Sequence, residues 1–159
     1  MSEIVVYTDG GSRNTGNVKG GQVKATDKAA WAYLIELDNQ KISDSKGFLG
    51  ATNNQMELTA VLEALRQLYR LGLNQERIIL ISDSQYVLKG IQEWLAGWKA
   101  KGWRTSNKKP VKNLELWQAM DRALQYFPNI DYRWTKGHAG DSGNEFVDEL
   151  LNQTMDQLK

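Results

Sequence analysis

The hydrophobic period of this chain changes near residue 50, and that change restricts the fold more than any other feature. Before it lie apolar or alternating runs of strand length, at residues 4–8 (IVVYT), ended by the turn residues Asp9-Gly10-Gly11, and at 29–37 and 41–49. The last two meet at Asp38-Asn39, a plausible hairpin turn. After it, Leu58, Val61, Leu62, Leu65, Leu68 and Tyr69 recur at spacings of three and four, one face of an amphipathic helix. Thr52, Asn53 and Asn54 are N-cap candidates, and Gly72 is a C-terminal stop. The period then reverts. Residues 77–82 (RIILIS) form another buried strand, and Asp83-Ser84 opens a helical stretch. Ile130, Tyr132 and Trp134 alternate in a last strand. Phe146, Val147, Leu150, Leu151, Met155 and Leu158 mark a C-terminal helix. The order β-β-β-α-β-α-α-β-α predicts an α/β fold, a mixed five-stranded sheet flanked by helices, within one domain over residues 1–159.

Composition narrows the chemistry. No apolar run approaches the ~20 residues of a membrane span, and the N-terminus does not read as a leader. There is no cysteine, which excludes disulfides and thiolate-bound zinc and suits a reducing, cytoplasmic setting. With one histidine, a metal site must use mainly oxygen ligands, which favours Mg2+, with Mn2+ as the alternative. The net charge of +1 hides an asymmetry. Residues 91–112 carry Lys99, Lys101, Arg104, Lys108, Lys109 and Lys112 against a single acid, Glu93, so the rest of the chain is net acidic. No oligomer signal or obligate protein partner is evident, and a monomer is the default expectation.

Four acids stand out. Asp9 and Asp83 each follow a buried strand directly, and ligands of open α/β sheets bind at the carboxyl ends of strands. Glu57 lies in the first turn of the long helix, and Asp148 borders the apolar stripe of the last one. Each alone has an ordinary explanation as a turn residue, cap, dipole partner or surface acid. Together they are better explained by divalent ions, because crowded carboxylates repel unless a cation compensates. Two such ions ~4 Å apart serve phosphodiester cleavage. Asp9 and Asp83 would then be central ligands, completed by Glu57 and Asp148.

At these residues the chain resembles bacterial ribonuclease H of type 1. The resemblance is carried by YTDGGS (7–12), TNNQMEL (52–58), SDSQYV (82–87), KKPVKN (108–113), ELW (115–117) and TKGHAGDSGNEFVDEL (135–150), in order over nearly the whole chain. It implies a ribonuclease H-like fold and an endonuclease that hydrolyses the RNA strand of RNA–DNA hybrids with two metal ions, leaving 5′-phosphate and 3′-hydroxyl ends. The four carboxylates carry over to Asp9, Glu57, Asp83 and Asp148. His138 matches a histidine beside the site, suited to moving a proton, and Glu145 a further acid near that loop.

The basic segment resembles the family's helical, substrate-binding protrusion. Lys99, Lys101, Arg104, Lys108 and Lys109 would neutralise phosphates, and Trp94, Trp98 and Trp103 would pack on sugars or bases. Trp94 and Trp98 share a helical face, so core packing is the alternative. Thr52 and Asn113 match a pocket for a DNA-strand phosphate. Asn14, Asn53, Asn54 and Gln85 match polar contact positions, and the backbone at Gly10 and Gly11 is expected near RNA 2′-hydroxyls. The chain departs from the pattern after YTDGGS, where Arg13-Asn14-Thr15-Gly16 and a longer loop reaching Lys28 replace a compact Gly-Asn-Pro-Gly. The alternatives are an integrase- or resolvase-like DNA-processing nuclease, or a non-catalytic hybrid-binding module.

Overall fold

The computed structural model describes residues 3–13, 24–105, 107–136 and 142–158. Its five strands are β1 (Ile4–Ser12), β2 (Lys28–Glu36), β3 (Lys41–Leu49), β4 (Ile78–Ser82) and β5 (Ile130–Trp134). They form one sheet in the order β3-β2-β1-β4-β5. The first three make an antiparallel meander, and β4 and β5 add in parallel on the other side of β1. The expected mixed, five-stranded architecture is therefore present. Among the described residues no helix is long and apolar enough to cross a membrane.

The helices are α1 (Asn53–Arg70), α2 (Gln85–Lys89), α3 (Leu95–Ala100), α4 (Leu114–Leu124) and α5 (Ser142–Asp156), with a π-helical turn at Gly90–Trp94 joining α2 to α3. Of the N-cap candidates, Thr52 takes the position. Its hydroxyl accepts from the Gln55 amide, and the Gln55 side chain accepts from the Thr52 amide, a reciprocal capping box. Gly72 follows the end of α1 with left-handed backbone, φ 72°, where glycine is unstrained.

β2 explains how both faces of the sheet are covered. It is buried along almost its whole length. Ala29, Trp31, Tyr33 and Ile35 face the main core with Leu58, Val61, Leu65 and Leu68 of α1. Ala30, Ala32 and Leu34 face Val147, Leu151 and Met155 of α5. The strand thus reads as a continuous apolar run because each face meets a helix.

One expected boundary moves. Asp9-Gly10-Gly11 reads as a turn, yet β1 continues through Ser12, pairing Asp9 with Ala32, Gly10 with Trp31 and Gly11 with Ala30. The long partner β2 supplies backbone hydrogen bonds beyond the point where β4 stops, since the β1–β4 pairing ends at Thr8 opposite Ser82. Beyond that pair the two parallel strands no longer bond to each other, and Asp9 is the next residue of β1.

Candidate active site

Asp9 and Asp83 are each the first residue past the last β1–β4 pair, so the parallel register itself brings them to one edge. Period-two alternation puts Asp9 on the same face as Tyr7, the face covered by α5, which carries Asp148. Glu57 arrives from the opposite side on α1. Its approach depends on Gly10: a Cβ there would lie 2.3 Å from the Glu57 backbone nitrogen and 2.3 Å from the Met56 carbonyl carbon. Without a side chain at residue 10, the first turns of α1 close onto β1.

The outcome is a tight acidic cluster. Asp9, Glu57 and Asp83 each offer a carboxylate oxygen within 4.8 Å of the others. Asp148 is exposed on α5, outside that group, but its charge acts on both Asp9 and Asp83. Burial together with the Asp83 and Asp148 charges pushes the Asp9 carboxyl up to about 8, although the Gly10 amide donates to its Oδ1 at 3.0 Å. Burial, then the charges of Asp9 and Asp83, holds Glu57 well above the usual carboxylate range. Burial also raises Asp83, with Asp148 adding to it.

These residues fit a hard divalent cation. The donors are all carboxylates, and Glu57 Oε1 is buried without a hydrogen-bond partner. A buried acceptor left unpaired in this way costs about 1–3 kcal/mol, and a cation would satisfy it while relieving the mutual repulsion. Among the described residues this is the group of three or more potential metal ligands.

Two residues near the acids make contacts that shape the site, one without any sequence signal and one, Ser84, at a helix start the sequence does mark. The Trp134 indole, at the end of β5, donates to the Asp83 carbonyl at 3.2 Å. The Ser84 hydroxyl accepts from the Val87 amide at 3.2 Å and caps α2, leaving the Asp83 carboxylate free of that task. Trp134 reads in sequence only as an alternating strand residue; its bond depends on the β4–β5 register.

The expected nucleic-acid contacts divide. Lys99, Lys101, Arg104, Lys108 and Lys109 are all exposed, but Lys99 pairs with Asp121 at 3.3 Å, tying α3 to α4. Trp94, Trp98 and Trp103 are half-buried. Trp98 packs edge-on against the buried Trp117, with ring centroids 5.3 Å apart, and Trp94 stacks obliquely on Trp98 at 5.7 Å. Core packing therefore accounts for one side of both rings. Trp94 and Trp98 also line an open groove of about 450 Å³ with Lys101 and Arg104. Asn53 is exposed at the start of α1, and its Oδ1 accepts from the Ser12 amide. Asn54 and Thr52 are half-buried beside it, Gln85 is exposed at the start of α2, and Asn113 precedes α4 with φ 59°. Gly11 is half-buried next to Gly10. Asn14 and His138 lie outside the described residues. Glu145 is exposed in the first turn of α5. Where the atypical loop leaves β1, Arg13 pairs with Asp156 at 2.6 Å and donates to the Asn152 carbonyl, so its first residue is tied to the end of α5.

Strand order, crossovers and an acidic cluster at the β1–β4 edge define a ribonuclease H-like α/β fold. The RNase H family model matches residues 1–156. The ribonuclease H of Albidiferax ferrireducens is 46% identical over 158 residues, covering 98% of this chain and 96% of that protein. The ribonuclease H of Ruthia magnifica subsp. Calyptogena magnifica is 42% identical over 158 residues, covering 99% of each. Among solved structures, LC9-RNase H1, a type 1 RNase H with the type 2 active-site motif, superposes with a TM-score of 0.79 at 26% identity, covering 99% of this chain and 74% of that one. The chain belongs to the ribonuclease H family, and with it to the endoribonuclease hydrolases.

Proposed function

We propose that this chain hydrolyses the RNA strand of RNA–DNA hybrids by two-metal-ion catalysis at Asp9, Glu57, Asp83 and Asp148. The observation that carries the reading is the convergence of three carboxylates within 4.8 Å at the edge where β1 and β4 part. Asp9 and Asp83 would be the shared ligands, and Glu57 and Asp148 would complete the two sites, for Mg2+ with Mn2+ as the alternative. When bound, such ions supply a more acidic water at neutral pH and neutralise charge on the phosphate and the departing 3′-oxygen, giving 5′-phosphate and 3′-hydroxyl ends.

The chain's own groups bind and orient the duplex. Backbone at Gly10 and Gly11 lies next to Asp9 in β1 and would contact RNA 2′-hydroxyls at the cleavage point. Thr52 and Asn113 would hold a DNA-strand phosphate. The Thr52 oxygen accepts the α1 capping bond, which leaves its proton to donate; because the helix begins at Asn53, Glu57 falls just past the first turn in which the sequence places it, and the first turn itself carries no acid. Lys101 and Arg104 would neutralise phosphates along the groove that they line with Trp94 and Trp98, Lys108 and Lys109 would do so elsewhere on the basic segment, and Asn53, Asn54 and Gln85 would face the duplex grooves. His138 would move a proton near the leaving group.

The test is incubation with Mg2+ and labelled RNA–DNA hybrid, duplex DNA or duplex RNA. Cleavage confined to the RNA of the hybrid is expected. Cleavage of duplex DNA would favour the integrase-like class, and binding without cleavage a non-catalytic module.

The tip of the protrusion yields a separate prediction. The Thr105 amide donates to the Lys109 carbonyl at 2.8 Å and Arg104 bridges to Pro110, which holds Lys108 and Lys109 exposed on a tight turn. Replacing both lysines with alanine is expected to weaken hybrid binding several-fold and to reduce the slope of log Kd against log salt by about 1 to 2. An unchanged salt slope would remove this tip from the binding surface.

A further inference from the structure

Tyr86 sits in the first turn of α2, three residues after Asp83, and its hydroxyl meets α4 while its ring also meets the π-helical turn. The Trp117 indole nitrogen lies 2.9 Å from Tyr86 Oη, and Asn113 Nδ2 lies 3.2 Å from it. The ring is edge-on to Trp117, with centroids 5.6 Å apart, and to Trp94, at 6.0 Å. Trp117 is completely buried in the main core. An indole N–H can only donate, so Tyr86 Oη must accept from it. That bond removes the hydroxyl's rotational freedom and presents a fixed surface to the Asn113 carboxamide.

Asn113 is unusual in turn. It precedes α4 in left-handed backbone, φ 59° and ψ 37°, and its side chain makes no capping bond to the helix it precedes. An asparagine before a helix ordinarily bonds the second or third amide of the first turn. Here the carboxamide bonds Tyr86 instead. The second hydrogen of that amide is not used by the bond to Tyr86, and the first turn of α4 receives no bond from the Asn113 side chain.

We propose that Tyr86 is a positioning residue for the DNA-strand phosphate: its hydroxyl, fixed by Trp117, holds the Asn113 carboxamide in the orientation that receives the phosphate. This rests on the reading of Asn113 as a phosphate ligand. It also links that ligand to the catalytic edge, because Asp83 and Tyr86 lie at the start of one short helix. The protrusion joins the same hub through Trp94.

The test is a double-mutant cycle on hybrid cleavage with Tyr86→Phe, Asn113→Ala and the pair, each checked for folding by thermal melting. Tyr86→Phe keeps the ring and both aromatic contacts and removes only the hydroxyl. Each single change is expected to raise KM about 5-fold, with kcat within about 2-fold, as loss of roughly one hydrogen bond to substrate would. The pair is expected to match Asn113→Ala alone. A hydroxyl that serves only to satisfy the Trp117 indole would lower the melting temperature and leave KM unmoved, which would overturn the proposal. So would a Tyr86→Phe factor that persists in full when Asn113 is already alanine. If Asn113→Ala leaves KM unchanged, the phosphate reading of Asn113 fails; if it raises KM while Tyr86→Phe does not, only the role of Tyr86 fails. A second measurement needs no substitution. Adding hybrid under chelation should shift the Tyr86 ring and Asn113 side-chain amide resonances together. Movement of Asn113 with Tyr86 unmoved overturns the coupling.

Discussion

Asp9→Asn is expected to abolish hydrolysis and, without divalent ions, to make the protein more stable. The two effects share one cause. Asp9 is 6% exposed, accepts from the Gly10 amide, and faces the charges of Asp83 and Asp148, so its carboxyl is raised to about 8. A group whose folded pKa is raised favours the folded state below its unfolded pKa, near 4, and loses that contribution as pH climbs through the folded value. The loss should therefore develop between pH 4 and about 8 in the metal-free protein. Asparagine mimics the neutral acid and escapes it. At pH 8 in chelator the variant is expected to be more stable by about 2 kcal/mol, a rise of about 5 °C in melting temperature. The two proteins should converge near pH 4. Added Mg2+ should raise the wild-type melting temperature and do less for the variant, since a ligand stabilises only the form that binds it. Turnover should fall by about three orders of magnitude or more. A variant that melts below wild type at pH 8 in chelator would contradict the repulsion, and near-normal Mg2+-dependent turnover would contradict the metal assignment.

The same residues show why some of the molecule could be read in sequence and some could not. Strand and helix order was visible because it rests on local hydrophobic period, as in the α1 face from Leu58 to Leu68. The capping box was half visible: Thr52 announces it, and Gln55 completes it only when the helix begins at Asn53. Asp9 and Asp83 were legible as strand-end acids, but their meeting required β1 and β4 to be parallel neighbours, which no local signal encodes. The turn expected at Asp9-Gly10-Gly11 failed for a related reason. Glycine pairs are common in turns, but β2 pairs with this stretch and carries it on as strand. Tryptophans 94 and 98 had two readings: the packing one is seen in the ring contacts with Trp117 and with each other, while the same residues also line the open groove. Contacts such as Trp134 to the Asp83 carbonyl and Tyr86 to Asn113 depend on register and on distant segments, beyond any pattern of spacing.

Gly10→Ala is expected to be the most damaging single methyl in the chain's first strand, and Gly11→Ala supplies its control. At residue 10 the new Cβ would stand 2.3 Å from backbone atoms of Met56 and Glu57. Backbone in the first turns of a capped helix cannot rotate away as a side chain can, so the start of α1 must lift from β1 and draw the rest of the helix with it. Leu58, Val61 and Leu65 would then lose contact with the sheet. The expected cost is about 3 kcal/mol or more, at or above the usual range for overpacking a core. At residue 11 the added methyl would meet the Leu151 Cδ2 methyl at 3.2 Å and Asn53 Oδ1 at 3.8 Å, both side-chain atoms. A flexible leucine can yield a few tenths of an ångström, so Gly11→Ala should cost no more than about 1 kcal/mol. Urea unfolding of the three proteins measures the difference. Activity separates a second consequence, because lifting α1 also withdraws Glu57 from Asp9 and Asp83. Under conditions where Gly10→Ala remains folded, its turnover should still fall at least about 100-fold, and its melting temperature should respond less to Mg2+ than that of wild type. A folded Gly10→Ala protein with wild-type turnover and Mg2+ response would show that Glu57 reaches the site without the close approach of α1 to β1.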